Sequence, residues 1–108
     1  MEGLMLEIST RKIARVILLT REYGPESPHL KDYISGLNED EQASLVALMW
    51  VGRDSFSPEE LDYAKQEARR EATAPTENYL SGIPGLAEHL ESGLDLLGID
   101  VTDVEENL

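Results

Sequence analysis

The residues able to do chemistry in this chain are few and spread out. His29 and His89 are its only imidazole bases, and it has no Cys. A thiolate nucleophile, a thiolate metal site and a disulfide framework are therefore excluded. His29 lies in a Pro-flanked connector, and His89 follows Glu88 on an expected surface. Ser and Thr are plentiful, but there is no Gly-x-Ser-x-Gly elbow to activate one. Gly82-Ile83-Pro84-Gly85 is too short for a phosphate-cradling loop and lacks the Lys-Ser/Thr that would follow. The 22 Asp and Glu residues are too many for sequence to nominate an acid–base pair. No catalytic residue, cofactor-binding residue or metal ligand is assigned, and no cofactor is expected.

Two constellations invite a sharper reading and fail on named residues. Phe56-Ser57-Pro58-Glu59-Glu60 looks like the second half of a calcium-binding loop, with Glu60 as its bidentate last ligand. That register puts Met49, Val51 and Arg53 where oxygen ligands are needed, and Asp54 where the loop wants Gly. Glu60 is better read as a helix-capping residue. The same region has the spacing of a helix-turn-helix, with the helix from Ser57 as reader. Its N-terminus carries Glu59, Glu60 and Asp62, where base and phosphate contacts call for Arg, Lys, Asn or Gln. Glu88, Glu91 and Asp95 share a helix face by steps of three and four. His89 points elsewhere, so this face reads as a solvated acidic surface rather than a metal site.

The net charge of −13 is unevenly spread. Residues 1–70 hold all nine basic residues against thirteen acidic ones, and residues 71–108 hold nine acidic residues and no Lys or Arg. Such a surface repels nucleic acid and anionic lipid headgroups, so neither is expected as a partner. It attracts basic proteins. The candidate interaction surface is Glu88, Glu91 and Asp95 with Asp100 and Asp103 of the tail. The expected partner is a basic protein or a second copy of the chain. The longest apolar run, Leu45–Val51, is too short to span a bilayer. With no basic, apolar leader at the start of the sequence and no Cys, a cytoplasmic location is expected.

These residues need elements to position them, and the pattern throughout is helical. Ser9 or Thr10 can cap a first helix running to about Tyr23, with Ile13, Val16, Ile17 and Thr20 as its inner stripe. Gly24-Pro25 ends it. Its bases Arg11, Lys12, Arg15 and Arg21 are expected to pair with the acidic remainder. Residues 24–37 form a connector with room for a helical turn at His29–Ser35. Asn38 with Glu41 makes a capping box for a second helix to about residue 52, apolar nearly all round and hence buried at the centre. Gly52 lets the chain turn. Ser57, Pro58 and Glu60 start a third helix, with Leu61, Ala64, Ala68 and Ala72 inward and Lys65, Glu67, Arg69, Arg70 and Glu71 on a charged outer face. Thr76 caps a short helix bearing Tyr79 and Leu80. Pro84 opens a last one to about Leu97, with Leu86, Leu90, Leu94 and Leu97 at helical spacing and Gly98 as its stop.

The fold expected is all-α, a compact bundle of four or five helices in a single domain over residues 1–98, with an acidic, flexible tail over 99–108. Trp50 and Phe56 flank the central turn and should seal it. Together with Tyr79 they are the alternative candidate site, a small-molecule pocket.

The stretches LNEDEQASLVALMWVGRDSFSPEEL and NYLSGIPGLAEHLESGLDLLG, over Leu37–Gly98, resemble the bacterial domain-of-unknown-function family numbered 3775. Leu45–Arg53 with Phe56, and Tyr79-Leu80 through Gly82, Pro84 and Leu90 to Gly98, carry the resemblance. It implies a bacterial, cytoplasmic, helical protein and transfers no functional residue. The reading that follows is a non-catalytic protein-interaction or regulatory module. The alternative is a small-molecule-binding domain or weak enzyme.

Overall fold

Small polar residues set where the helices begin. The structure, a computed structural model, describes residues 6–71 and 75–99. Ser9 caps α1 (Thr10–Tyr23), its Oγ accepting the Lys12 N–H at 3.2 Å. Ser27 caps α2 (Pro28–Ser35) by accepting the Leu30 N–H, also at 3.2 Å. Asn38 heads α3 (Glu39–Gly52) with a full capping box. Its Oδ1 accepts the Glu41 N–H at 2.7 Å, and the Glu41 carboxylate accepts the Asn38 N–H at 3.0 Å. A 3₁₀ turn at Pro58–Glu60 leads into α4 (Leu61–Arg70), with the Glu60 carboxylate accepting the Ser57 N–H at 2.9 Å. α5 (Thr76–Ser81) and α6 (Leu86–Leu96) complete an all-α bundle, and no strand occurs among the described residues.

α3 is the central helix, as its all-round apolar pattern predicts. Every residue from Ala43 to Val51 is buried. α6 runs antiparallel along it, and two glycines set the spacing. A Cβ on Gly52 would stand 1.7 Å from the His89 carbonyl oxygen, and one on Gly93 would stand 2.5 Å from that of Leu48. The two backbones therefore meet with no side chain between them. α1 packs on the other flank of α6, with Ile13, Val16 and Ile17 buried.

Ion pairs join the outer faces. Lys12 meets Glu41 at 2.5 Å, and Arg21 forks onto Glu91 at 2.5 and 2.8 Å. The Lys12 ammonium, hydrogen-bonded to the Glu41 carboxyl, holds it below the usual carboxylate range. Arg69 bridges Glu7 at 2.7 Å and Asp40 at 2.8 Å. Arg11 and Arg15, expected to pair like their neighbours, are exposed and make no ion pair among the described residues.

Several local expectations change. α2 is a full helix rather than a turn, because Ser27 and Pro28 supply a cap and a preset first position. It brings the helix count to six among the described residues. Thr76 lies inside α5, where the Asn78 and Tyr79 N–H groups both donate to the Pro75 carbonyl at 3.0 Å. Pro84 stays in a turn, and α6 starts after Gly85, left-handed at φ +71°. Lys65 belongs to the buried side of α4, its ammonium 3.4 Å from Asp62 and 3.8 Å from Glu7. Its long methylene stem lies along the core edge while its charge reaches the carboxylates. Ala72 and Asp100–Leu108, which includes most of the expected tail, lie outside the described residues. Ile99 packs against the core, its N–H donating to the Leu94 carbonyl at 2.8 Å.

Candidate functional site

The corner between α3 and α4 gathers four of the chain's six aromatic rings. Its backbone geometry comes from a Schellman motif at the end of α3. The Ser55 N–H reaches back to the Trp50 carbonyl at 2.8 Å, and the Asp54 N–H to Val51 at 3.1 Å. Asp54 takes the left-handed position, at φ +68°, where Gly is usual. Asp tolerates it because its short polar side chain costs less there than a branched one. Gly52 is therefore not the residue that lets the chain turn. It stays helical, and its missing Cβ makes room for α6.

The turn folds Phe56 back onto Trp50, with ring centroids 5.5 Å apart and planes inclined at 37°. Tyr63, from the first turn of α4, meets Phe56 edge to face at 5.8 Å and 68°. Tyr79, from α5, approaches Trp50 and accepts its indole N–H at 2.9 Å. The result is a row, Tyr79–Trp50–Phe56–Tyr63, that climbs out of the core. Trp50 is 9% exposed, Phe56 is half-buried, and Tyr63 is 54% exposed.

Of the three aromatics singled out from sequence, Trp50 and Phe56 meet ring to ring, and Tyr79 reaches Trp50 through its hydroxyl. A groove of about 380 Å³ lies elsewhere, between the start of α3 and the end of α4, floored by Ala43, Val46 and Ala68. Its Arg69 is engaged by Glu7 and Asp40. Its Gln42 side-chain amide donates to the Ile34 and Leu37 carbonyls. Tyr63 was missed by sequence reasoning. The available signal was a lone aromatic on an otherwise charged helix face.

The acidic candidates separate. Glu88 and Asp95 are exposed on α6, whereas Glu91 is held by the Arg21 fork. Asp100 and Asp103 lie outside the described residues. The histidines stay at different corners. His29 stacks on Tyr23 at 4.2 Å where α1 meets α2, and His89 sits near Gly85 at the start of α6. Among the described residues no three His, Asp or Glu side chains are placed to share a metal ion, and no helix is long and apolar enough to cross a membrane.

No curated protein and no solved structure matches the chain. A family model described as protein of unknown function (DUF3775) matches residues 27–99, from the cap of α2 to the residue after α6's closing glycine. The match starts ten residues earlier than the Leu37 boundary expected from the resemblance, taking in all of α2. It covers well over half of the sequence, and the chain belongs to the DUF3775 family.

Proposed function

We propose that this domain is a non-catalytic interaction module that holds a basic partner protein at the α3–α4 corner. The observation that carries this reading is the aromatic row, which breaks the surface at Tyr63 and Tyr79. Tyr and Trp supply large contact area at little cost in side-chain freedom, and they dominate the energetics of known interfaces. The charge surplus of the chain selects the sign of the partner. The acidic residues of α6, Glu88 and Asp95, add long-range attraction rather than close contact.

Affinity capture from a lysate of the source organism, at low and high salt, tests the reading. The wild-type chain should retain a basic protein that elutes with salt. Tyr63→Leu should lose most of it while folding normally, since Tyr63 is exposed. Equal retention by both chains would overturn the reading. Self-association predicts instead a dimer mass by light scattering after gel filtration.

The groove beside Ala43 and Val46 favours a second reading, a small-molecule-binding domain. A thermal-shift screen of metabolites separates the two. A specific hit that shifts the amide signals of Ala43, Val46 and Ala68 supports the groove, and no hit across a broad set counts against it.

A further inference from the structure

We infer that the aromatic row receives a guanidinium group, an arginine side chain of the partner, seated against Tyr63 and Phe56 between Asp54 and Glu59. This rests on the interaction reading above and names its chemistry. Three observations carry it.

The rings offer what an arginine side chain needs and an ammonium uses less well. Guanidinium is planar and weakly hydrated, and it stacks on aromatic rings while keeping its N–H groups free. Tyr63 is the most exposed large apolar side chain described, and Phe56 beside it is half-buried.

Carboxylates lie close in sequence to the two rings. Residues 53–70 hold Asp54, Glu59, Glu60, Asp62 and Glu67 against Arg53, Lys65, Arg69 and Arg70, a surplus of one negative charge. Most of these carboxylates are already engaged. Glu60 accepts the Ser57 N–H, Asp62 lies 3.4 Å from Lys65, and Glu67 holds Arg70 at 2.6 Å. Asp54 and Glu59 are exposed and make no ion pair among the described residues. Asp54 stands two residues before Phe56. Glu59 lies in the 3₁₀ turn that leads into α4, four residues before Tyr63.

The far end of the row has an unused donor. Tyr79 accepts the indole N–H of Trp50 through its oxygen, and its own hydrogen meets no acceptor among the described residues. A backbone carbonyl of the bound segment suits it. That carbonyl belongs further along the bound segment than the arginine, since Trp50 and Phe56 stand between Tyr79 and Tyr63.

Titration of the isotopically labelled full chain with three short peptides tests this. The peptides are Gly-flanked and carry arginine, lysine or citrulline at the same position. Citrulline keeps the shape of the guanidinium and removes its charge. The arginine peptide should shift the Trp50 indole N–H and the amides of 54–63 saturably. Lysine should bind about threefold more weakly and citrulline at least about tenfold more weakly, the range expected for a cation on aromatic rings. Tyr63→Leu and the double variant Asp54→Asn/Glu59→Gln should each weaken the arginine peptide severalfold with an unchanged melting curve. Equal binding of arginine and citrulline, or shifts confined to α6, would overturn the assignment. If Tyr63→Leu abolishes capture of the lysate partner yet the arginine peptide does not bind, the interaction reading stands and the guanidinium assignment falls. If capture survives Tyr63→Leu, both fall.

Discussion

Trp50 is the ring in the aromatic row with a nearly buried polar atom to satisfy. Its indole N–H donates to Tyr79 at 2.9 Å in a partly buried contact between α3 and α5. A buried donor left without a partner costs about 1–3 kcal/mol. Trp50 sits at the edge of the core, so the low end applies. Tyr79→Phe should therefore cost about 1 kcal/mol, or about 5 °C in melting temperature for a domain of this size. The same change made on a Trp50→Phe background should cost much less, because the donor is gone. Thermal melts of the four chains close the cycle. Equal costs on both backgrounds would mean that the hydrogen bond contributes nothing. The residue types at Trp50, Phe56 and Tyr79 marked this region in the sequence. Whether their rings line a void or fill it depends on the distance between α3 and α5, and no spacing along the chain encodes that distance.

Helix ends were more legible than helix contacts. Ser9, Asn38 and the Ser57–Glu60 pair act within four residues of themselves, so local sequence determines them. Gly52 and Gly93 act across the bundle. In sequence Gly52 looks like a turn residue, and only the approach of α6 reveals it as a packing residue. The place of Lys65 is hidden in the sequence for the same reason, since its ammonium pairs with Glu7, 58 positions away. Two substitutions separate these roles. Gly93→Ala must push its methyl into the Leu48 carbonyl, and the backbones have to part. Overpacking of this kind costs about 1–3 kcal/mol or more. Gly36→Ala is the control, since its Cβ would meet nothing closer than 3.6 Å and its φ of −82° suits any residue. It should leave the melting temperature unchanged or slightly raised. At the true turn, Asp54→Gly should stabilise by about 0.5–1 kcal/mol, because Gly takes the left-handed position without Cβ strain. Urea melts read both effects. A stabilised Gly93→Ala or a destabilised Asp54→Gly would contradict the packing and turn roles assigned above.

Across the whole molecule the dominant electrostatic fact is the imbalance of 22 acidic against nine basic residues. Charge surplus was fully legible in the sequence, whereas the pairs that relieve it were not. Arg21 and Glu91 stand 70 positions apart, and only the packing of α1 on α6 joins them. Attractive and repulsive terms here act over different distances. The Lys12, Arg21 and Arg69 pairs meet at 2.5–2.8 Å. The repulsion is summed over carboxylates scattered across a body of 34 × 34 × 23 Å. Raising the salt from about 0.01 M to about 0.1 M shortens the screening length from about 30 Å to about 10 Å. At the lower salt every carboxylate feels the others across the molecule. At the higher salt each feels only its neighbours, while contact pairs keep most of their attraction. Exposed pairs are worth little in any case, about 0–1 kcal/mol each. Folding compresses the surplus charge, so relieving the repulsion favours the folded chain. The melting temperature should therefore rise with sodium chloride over that range, most steeply at its lower end. Neutralising Asp54, Glu59 and Asp95 to their amides should raise the low-salt melting temperature and flatten its salt dependence. These three are exposed and make no ion pair among the described residues, so the change removes repulsion without breaking a contact. A melting temperature that falls with salt would mean that the Lys12, Arg21 and Arg69 pairs outweigh the surplus.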